Sequence, residues 1–179
     1  MPDYEIIKVN DDNILMNPLL QLAKNKNLYS AMSNYLRIVR LYMTGGFYLD
    51  VDFEIIRRFD SLRKEKIIFG IQATKDNENI FVNNAMMASV AGHSYLRWCI
   101  DYINTMGYLN VLESSVYMVT KLAKHLGWNE RNETQILGDL RLLSSKYFYP
   151  YHFTEKFNEN CITKETYGIH HWDGGWLKS

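Results

Sequence analysis

From Leu28 to Met43 apolar residues recur at Leu28, Ala31, Met32, Tyr35, Leu36, Val39, Tyr42 and Met43, and the run stops at Gly45-Gly46. Spacings of three and four place these side chains on one face of a helix, and glycine ends a helix because it accepts the backbone conformation of a C-cap. Immediately beyond, Phe47 to Ile56 switches to a period of two, with Asp50, Asp52 and Glu54 falling on one side of an extended segment. A chain that passes this quickly from a one-faced helix to a half-polar strand has to pack helices against a sheet.

The remaining segments extend that reading. Tyr4 to Val9 is β-prone and leads into the turn residues Asp11-Asp12-Asn13, so a strand is expected to open the chain. Lys66–Ile71 reads as a buried strand and Asn84–Ser89 as another, while His93–Thr105 and Glu113–Leu126 carry helical periodicity, with Gly127 as a stop. Short β-prone pieces follow at Thr134–Leu137, Lys146–Tyr149 and Tyr167–His171. Interleaved strands and helices predict an α/β fold, a mixed sheet covered on both faces. With no repeat or linker, and 47% hydrophobic residues in 179, residues 1–179 are expected to form one domain.

Twenty basic against twenty acidic side chains speak against nucleic acid as a partner, since gripping a phosphate backbone needs an excess of positive charge. No stretch reaches the ~18 uninterrupted apolar residues of a membrane span, and the start lacks the pattern of a signal peptide. A soluble, cytoplasmic protein is expected, with peripheral membrane association left open. Cys99 and Cys161 are expected to be reduced, structural thiols. Met86, Met87, Met32 and Met43 are expected in the core, and His93 and His125 outside the chemistry.

Asp50 and Asp52 carry the chemical argument. In an open α/β sheet ligands bind beyond strand ends, where two carboxylates two residues apart can converge. Hard anionic oxygens suit Mg²⁺ or Mn²⁺, which can bridge a diphosphate leaving group and neutralise the charge that develops as it departs. Taken alone, the same D-x-D also describes the wet face of a half-buried strand.

Residues 31–54, A-M-S-N-Y-L-R-I-V-R-L-Y-M-T-G-G-F-Y-L-D-V-D-F-E, narrow the choice. The block resembles the one that defines the DXD-containing sugar transferases, glycosyltransferase family 32, through Ala31, Ser33, Arg37, Leu41, Gly45, Gly46, Tyr48, Asp50 and Asp52. Pro2–Ile7 looks like the family's second strand, Val82–Ala88 with Gly92-His93 like its N-x-x-M-A…G-H stretch, and Tyr167–Trp176 like its I-H-H-W-x-G-S-W segment. The resemblance implies a GT-A fold, a divalent cation, a UDP- or GDP-hexose donor, a glycan acceptor, retention of anomeric configuration, and work of the capsular polysaccharide or mannosyltransferase kind.

It also implies roles. Asp52 would ligate Mn²⁺ or Mg²⁺ directly, and Asp50 would sit beside the donor and reach the ion through water. Arg37 would contact donor sugar or phosphate, with Asn34, Tyr48 and Trp176 completing the donor site and His170 a further metal or diphosphate contact. Alternation in the β-prone run 167–171 sends His170 and His171 to opposite faces, so one of them can join the site. Asn34 and Arg37 lie three apart on the helix, off its apolar stripe. Three departures stand out: Asn34 where the family has Asp, Gly175 where it has Ser, and a start just before the second strand, without the first nucleotide-binding one. They keep open an alternative, a truncated or degenerate GT-A-like module that binds a metal or a partner without turnover.

Overall fold

The computed structural model describes residues 4–9, 14 and 16–173. Its first regular elements are α1 (Pro18–Asn25) and α2 (Tyr29–Thr44). Proline at the start of α1 costs no hydrogen bond there, and the Asn17 side chain accepts the amide of Leu20 at 2.8 Å, an N-cap that the periodicity reading did not use. The α2 helix stops where expected. Gly45 has φ +66°, and a Cβ built there would stand 2.8 Å from the Ala91 amide nitrogen, so both backbone and space require glycine.

Strand β1 (Gly46–Leu49) and strand β2 (Phe53–Ile55) follow, separated by a turn at residues 50–52. The alternating run is therefore two short strands rather than the one extended segment expected. The Phe53 amide donates to the Asp50 carbonyl at 3.1 Å, which closes the turn and leaves Val51 exposed. The chain continues through β3 (Ile67–Ala73), β4 (Ile80–Ser89), α3 (Ser94–Met106), α4 (Val116–His125), β5 (Gln135–Leu137), β6 (Leu140–Leu143) and β7 (Gly168–His170).

Five strands form a mixed sheet in the order β1-β4-β3-β6-β5, with β3 parallel to β6 and the other pairs antiparallel. β2 and β7 pair as a separate antiparallel ribbon, Phe53 opposite His170 and Ile55 opposite Gly168. The mixed α/β architecture agrees with the expected fold class. One face of the sheet buries Ile67, Phe69, Ile71, Val82 and Met87 against all four helices, and the other buries Ile68, Met86, Phe148 and Tyr149 beneath aromatic loops and the ribbon. Each fully buried Ile or Phe here contributes roughly 1.5–3 kcal/mol.

A bulge interrupts the centre of the sheet. Phe69 pairs with Met87 but Gly70 pairs with Asn83, so β4 carries Asn84, Ala85 and Met86 without partners in β3. Their backbone groups go elsewhere: the Asn84 carbonyl to Arg37, the Ala85 carbonyl to the Asp50 amide, and the Met86 amide to the Tyr149 hydroxyl at 3.0 Å. Gly70 leaves room for this, since a Cβ there would meet Tyr149 Cε2 at 2.6 Å. Bulges re-aim strands next to functional sites, and this one ties β4 to the D-x-D turn.

Several expectations need correction. Residues 4–9 form no strand: Ile6 is 88% exposed, and β propensity alone does not order a run that has no ladder partner. Lys146–Tyr149 holds a 3₁₀ turn at Ser145–Tyr147, because its aromatics pack downward rather than alternate, and the strand lies earlier, at β6. Met43 is exposed at the rim of α2, whereas Met32, Met86 and Met87 are buried. Cys99 and Cys161 are free thiols, and burial pushes that of Cys99 up to about 12.

Candidate metal centre

The turn between β1 and β2 places Asp50 and Asp52 at the junction of the main sheet with the ribbon, and register in the ribbon sets His170 across from Phe53. His170 Nε2 stands 3.1 Å from Asp52 Oδ1 and 3.8 Å from Asp50 Oδ2. One ligand atom from each of the three residues lies within 4.8 Å of the others, close enough to share one cation. His171, one residue on, points the other way and meets Glu54 Oε2 at 2.8 Å, as strand alternation requires.

Asp52 is wrapped by the segment after β7. Its carbonyl accepts the His171 amide at 2.9 Å and its Oδ2 accepts the Asp173 amide at 3.0 Å. The hydrogen bond from His170 brings its carboxyl down to about 2 from an ordinary 3.8; burial opposes this, while the His170 charge and the Asp173 amide assist. Asp52 therefore presents a full negative charge at neutral pH.

Asp50 is gripped from the other side. Arg37, 7% exposed on α2, sends Nη2 to Oδ1 at 3.0 Å and Nη1 to Oδ2 at 3.5 Å, and Tyr48 donates its hydroxyl to Oδ1 at 2.7 Å. The remaining Arg37 donors reach the Asn84 carbonyl at 2.8 Å, the Ser33 hydroxyl at 3.3 Å and the Ser33 carbonyl at 3.4 Å, while the guanidinium lies 4.6 Å over the Tyr48 ring. Burial pushes the Tyr48 phenol up to about 12, so it stays protonated and donates. Every N–H of Arg37 thus has an acceptor within the protein. Asn34 takes no part in this cluster: it is buried, and its amide donates to the Val111 carbonyl at 2.9 Å, pinning the loop between α3 and α4 to α2.

An aromatic wall backs the centre. His170 packs 4.3 Å from Trp172 and 5.9 Å from Tyr149, and Trp172, at φ +59°, is fixed by its Nε1 bond to the Tyr151 carbonyl at 3.1 Å. His170 Nδ1 is buried with no hydrogen-bond partner among the described residues. Trp176 and Gly175 lie outside the described residues.

Residues 1–68 match the family model of the glycosyltransferase sugar-binding region containing a DXD motif. The matched stretch includes α2, β1 and the whole D-x-D turn, which supports a glycosyltransferase assignment. No curated protein matches the chain. The sequence had marked Asp50, Asp52, Arg37, Tyr48 and His170, and the structure brings these five together. It did not mark Asn84, Tyr149 or Asp173 for the site. The first contributes a carbonyl freed by the bulge and the last an amide, and backbone groups leave no residue-type signal. His93 caps α3, its Nδ1 accepting the Tyr95 amide at 3.2 Å.

Proposed function

We propose that residues 1–179 form a glycosyltransferase catalytic domain that moves a hexose from a UDP- or GDP-sugar to a glycan or polysaccharide acceptor, with retention at the anomeric carbon. The observation that carries this reading is the convergence of Asp50, Asp52 and His170 within 4.8 Å, beside a buried arginine, on a turn inside the matched DXD region.

Asp52 and His170, with Asp50 behind them, would hold Mn²⁺ or Mg²⁺: the donor set is two hard carboxylates and one imidazole, and Asp52 is charged without needing the ion. Bound there, the cation would neutralise the charge that grows on the diphosphate as the sugar leaves. The chain's own groups prepare that event. Arg37 and Tyr48 fix the Asp50 carboxylate, so Arg37 acts on the donor through Asp50 rather than by gripping phosphate itself. Asp52 is oriented by His170 and the Asp173 amide. Trp172 and the ribbon shield this side of the centre from solvent, which strengthens each electrostatic contact. Trp176 is proposed to cover the donor.

Following the resemblance to family 32, we propose that the reaction runs in the cytoplasm, in surface-polysaccharide or capsule synthesis. No described helix is long and apolar enough to cross a membrane. One observation favours a second reading, a GT-A-like module without turnover: the Asn34 amide is committed to Val111 rather than to the carboxylates. The two readings separate in one assay, nucleotide release from a panel of UDP- and GDP-hexoses with Mn²⁺. Metal-dependent release that Asp52→Ala abolishes supports the transferase; binding of cation without release from any donor supports the module.

A further inference from the structure

Past Trp172 the fold leaves two phenyl rings in solvent. Phe153 is 60% exposed and Phe157 42% exposed. Neither is loosely placed. The Phe153 ring packs 4.0 Å from His152 and 5.8 Å from Trp172, and Phe157 packs 5.4 Å from Tyr151 and 5.7 Å from His171. The supporting rings are themselves held, Trp172 by the Tyr151 carbonyl and His171 by Glu54. Behind this stretch Glu155 accepts the Lys75 amide at 3.0 Å and the His152 amide at 3.2 Å, which locks the loop that carries both phenyls.

Rings fixed from behind with open outer faces, and exposed carboxylates of Glu54 and Asp173 close by, are the chemistry that recognises a pyranose. The sugar's C–H face lies on the ring and its hydroxyls donate to the carboxylates. The position of the shelf gives it a side of the reaction. Trp172 links Phe153 to His170 across 4.3 Å, so Phe153 lies one side chain beyond the residues that would hold the cation and the donor diphosphate, while Phe157 adjoins through Tyr151 and His171. In the transferase reading, a hydroxyl presented from Phe153 would lie beside the residues that hold the cation.

We propose that Phe153 and Phe157 form the stacking shelf for a pyranose ring of the acceptor, an inference that rests on the transferase reading. The test uses the whole chain without donor. Saturation-transfer NMR is recorded with the methyl α-pyranosides of glucose, galactose and mannose and with N-acetylglucosamine, on wild type, Phe153→Ala, Phe157→Ala, Phe153→Trp and, as an opposite-edge control, Ile136→Ala. At least one pyranoside is expected to receive signal from aromatic protons, with Phe153→Ala weakening its binding about fivefold or more and Phe153→Trp and Ile136→Ala retaining it. Thermal midpoints show that each variant is folded. Binding that survives both Phe153→Ala and Phe157→Ala overturns the shelf, as does absence of binding by any of the four sugars. A wild-type dimer that Phe153→Ala dissociates overturns it in favour of a second copy of the chain. Donor hydrolysis by wild type, read separately, decides the transferase reading: hydrolysis without sugar binding removes the shelf alone, and sugar binding without hydrolysis leaves a pyranose-binding surface but removes the transferase and with it the acceptor role.

Discussion

Arg37 and Asp50 meet through both arms of the guanidinium, Nη2 to Oδ1 at 3.0 Å and Nη1 to Oδ2 at 3.5 Å, across the gap between a helix and the end of a strand. Nη1 also holds the Asn84 carbonyl, so one side chain joins α2, β1 and the bulge of β4. Arg37→Ala would leave Asp50 with the Tyr48 hydroxyl but no paired cation, and a buried carbonyl without its donor, and a loss of about 3 kcal/mol is expected in urea denaturation. Arg37→Lys keeps the charge but not the fork, so it should recover only part of that stability.

Tyr48→Phe removes one hydroxyl and nothing else. Its bond to an ionised carboxylate predicts a loss of roughly 1.5 kcal/mol in the same measurement, with the fold retained. Combined with Arg37→Lys, the two changes should not add, because both act on Asp50.

Asp52 gives a pH signature with a defined sign. Its folded carboxyl is held at about 2 against an ordinary 3.8, so ionisation favours the folded state. That contribution is complete above pH 3.8 and is lost as pH falls through about 2. The stability gap between wild type and Asp52→Asn should therefore narrow as pH falls from about 4 to about 2, measured without divalent cations by urea titration. A gap that stays unchanged as pH falls from about 4 to about 2 would contradict the geometry around Asp52.

Cation binding should be visible in thermal melts. Mn²⁺ at a hundredfold excess over its Kd adds about 2.7 kcal/mol, which for a chain of this size raises the midpoint by roughly 5–10 °C relative to EDTA. Asp52→Ala and His170→Ala should each remove most of that shift. His170→Ala that keeps the full shift would leave the two aspartates as the centre.

Gly168 pairs with Ile55 in the ribbon and lies beneath the Phe53 side chain, and a Cβ there would overlap the Phe53 ring and stand 2.6 Å from the Glu54 carbonyl. Gly168→Ala should cost about 1–3 kcal/mol and loosen the strand that carries His170. Cation affinity should fall with stability, as read by the same melts. Gly70→Ala pushes on Tyr149 instead, a ring 5.9 Å from His170, so stability should fall there with a smaller effect on cation affinity.

These contrasts also show what could be read from residue order. Helix α2 and its glycine stop were legible because burial on one face and a C-cap leave periodic, residue-specific marks. Asp50, Asp52 and His170 were legible through motif and strand alternation. The break of residues 47–56 into two strands was not, since alternation runs through the turn undisturbed, and neither was the bulge, whose work is done by the Asn84 and Ala85 carbonyls and the Met86 amide. Residues 4–9 misled for the opposite reason: their pattern is right for a strand, but pairing is decided by a neighbour.

The ribbon of β2 and β7 joins residues more than a hundred positions apart, with Glu54 and His171 separated by 117. During synthesis the acidic half of the centre leaves the ribosome long before the imidazole half, and closing so wide a loop is a slow, late event in folding. A chain halted before Gly168 would hold its carboxylates without the strand that completes them. Cation affinity would then gauge whether the ribbon has closed, and a bound ion would rivet the turn at residues 50–52 to the strand that carries His170.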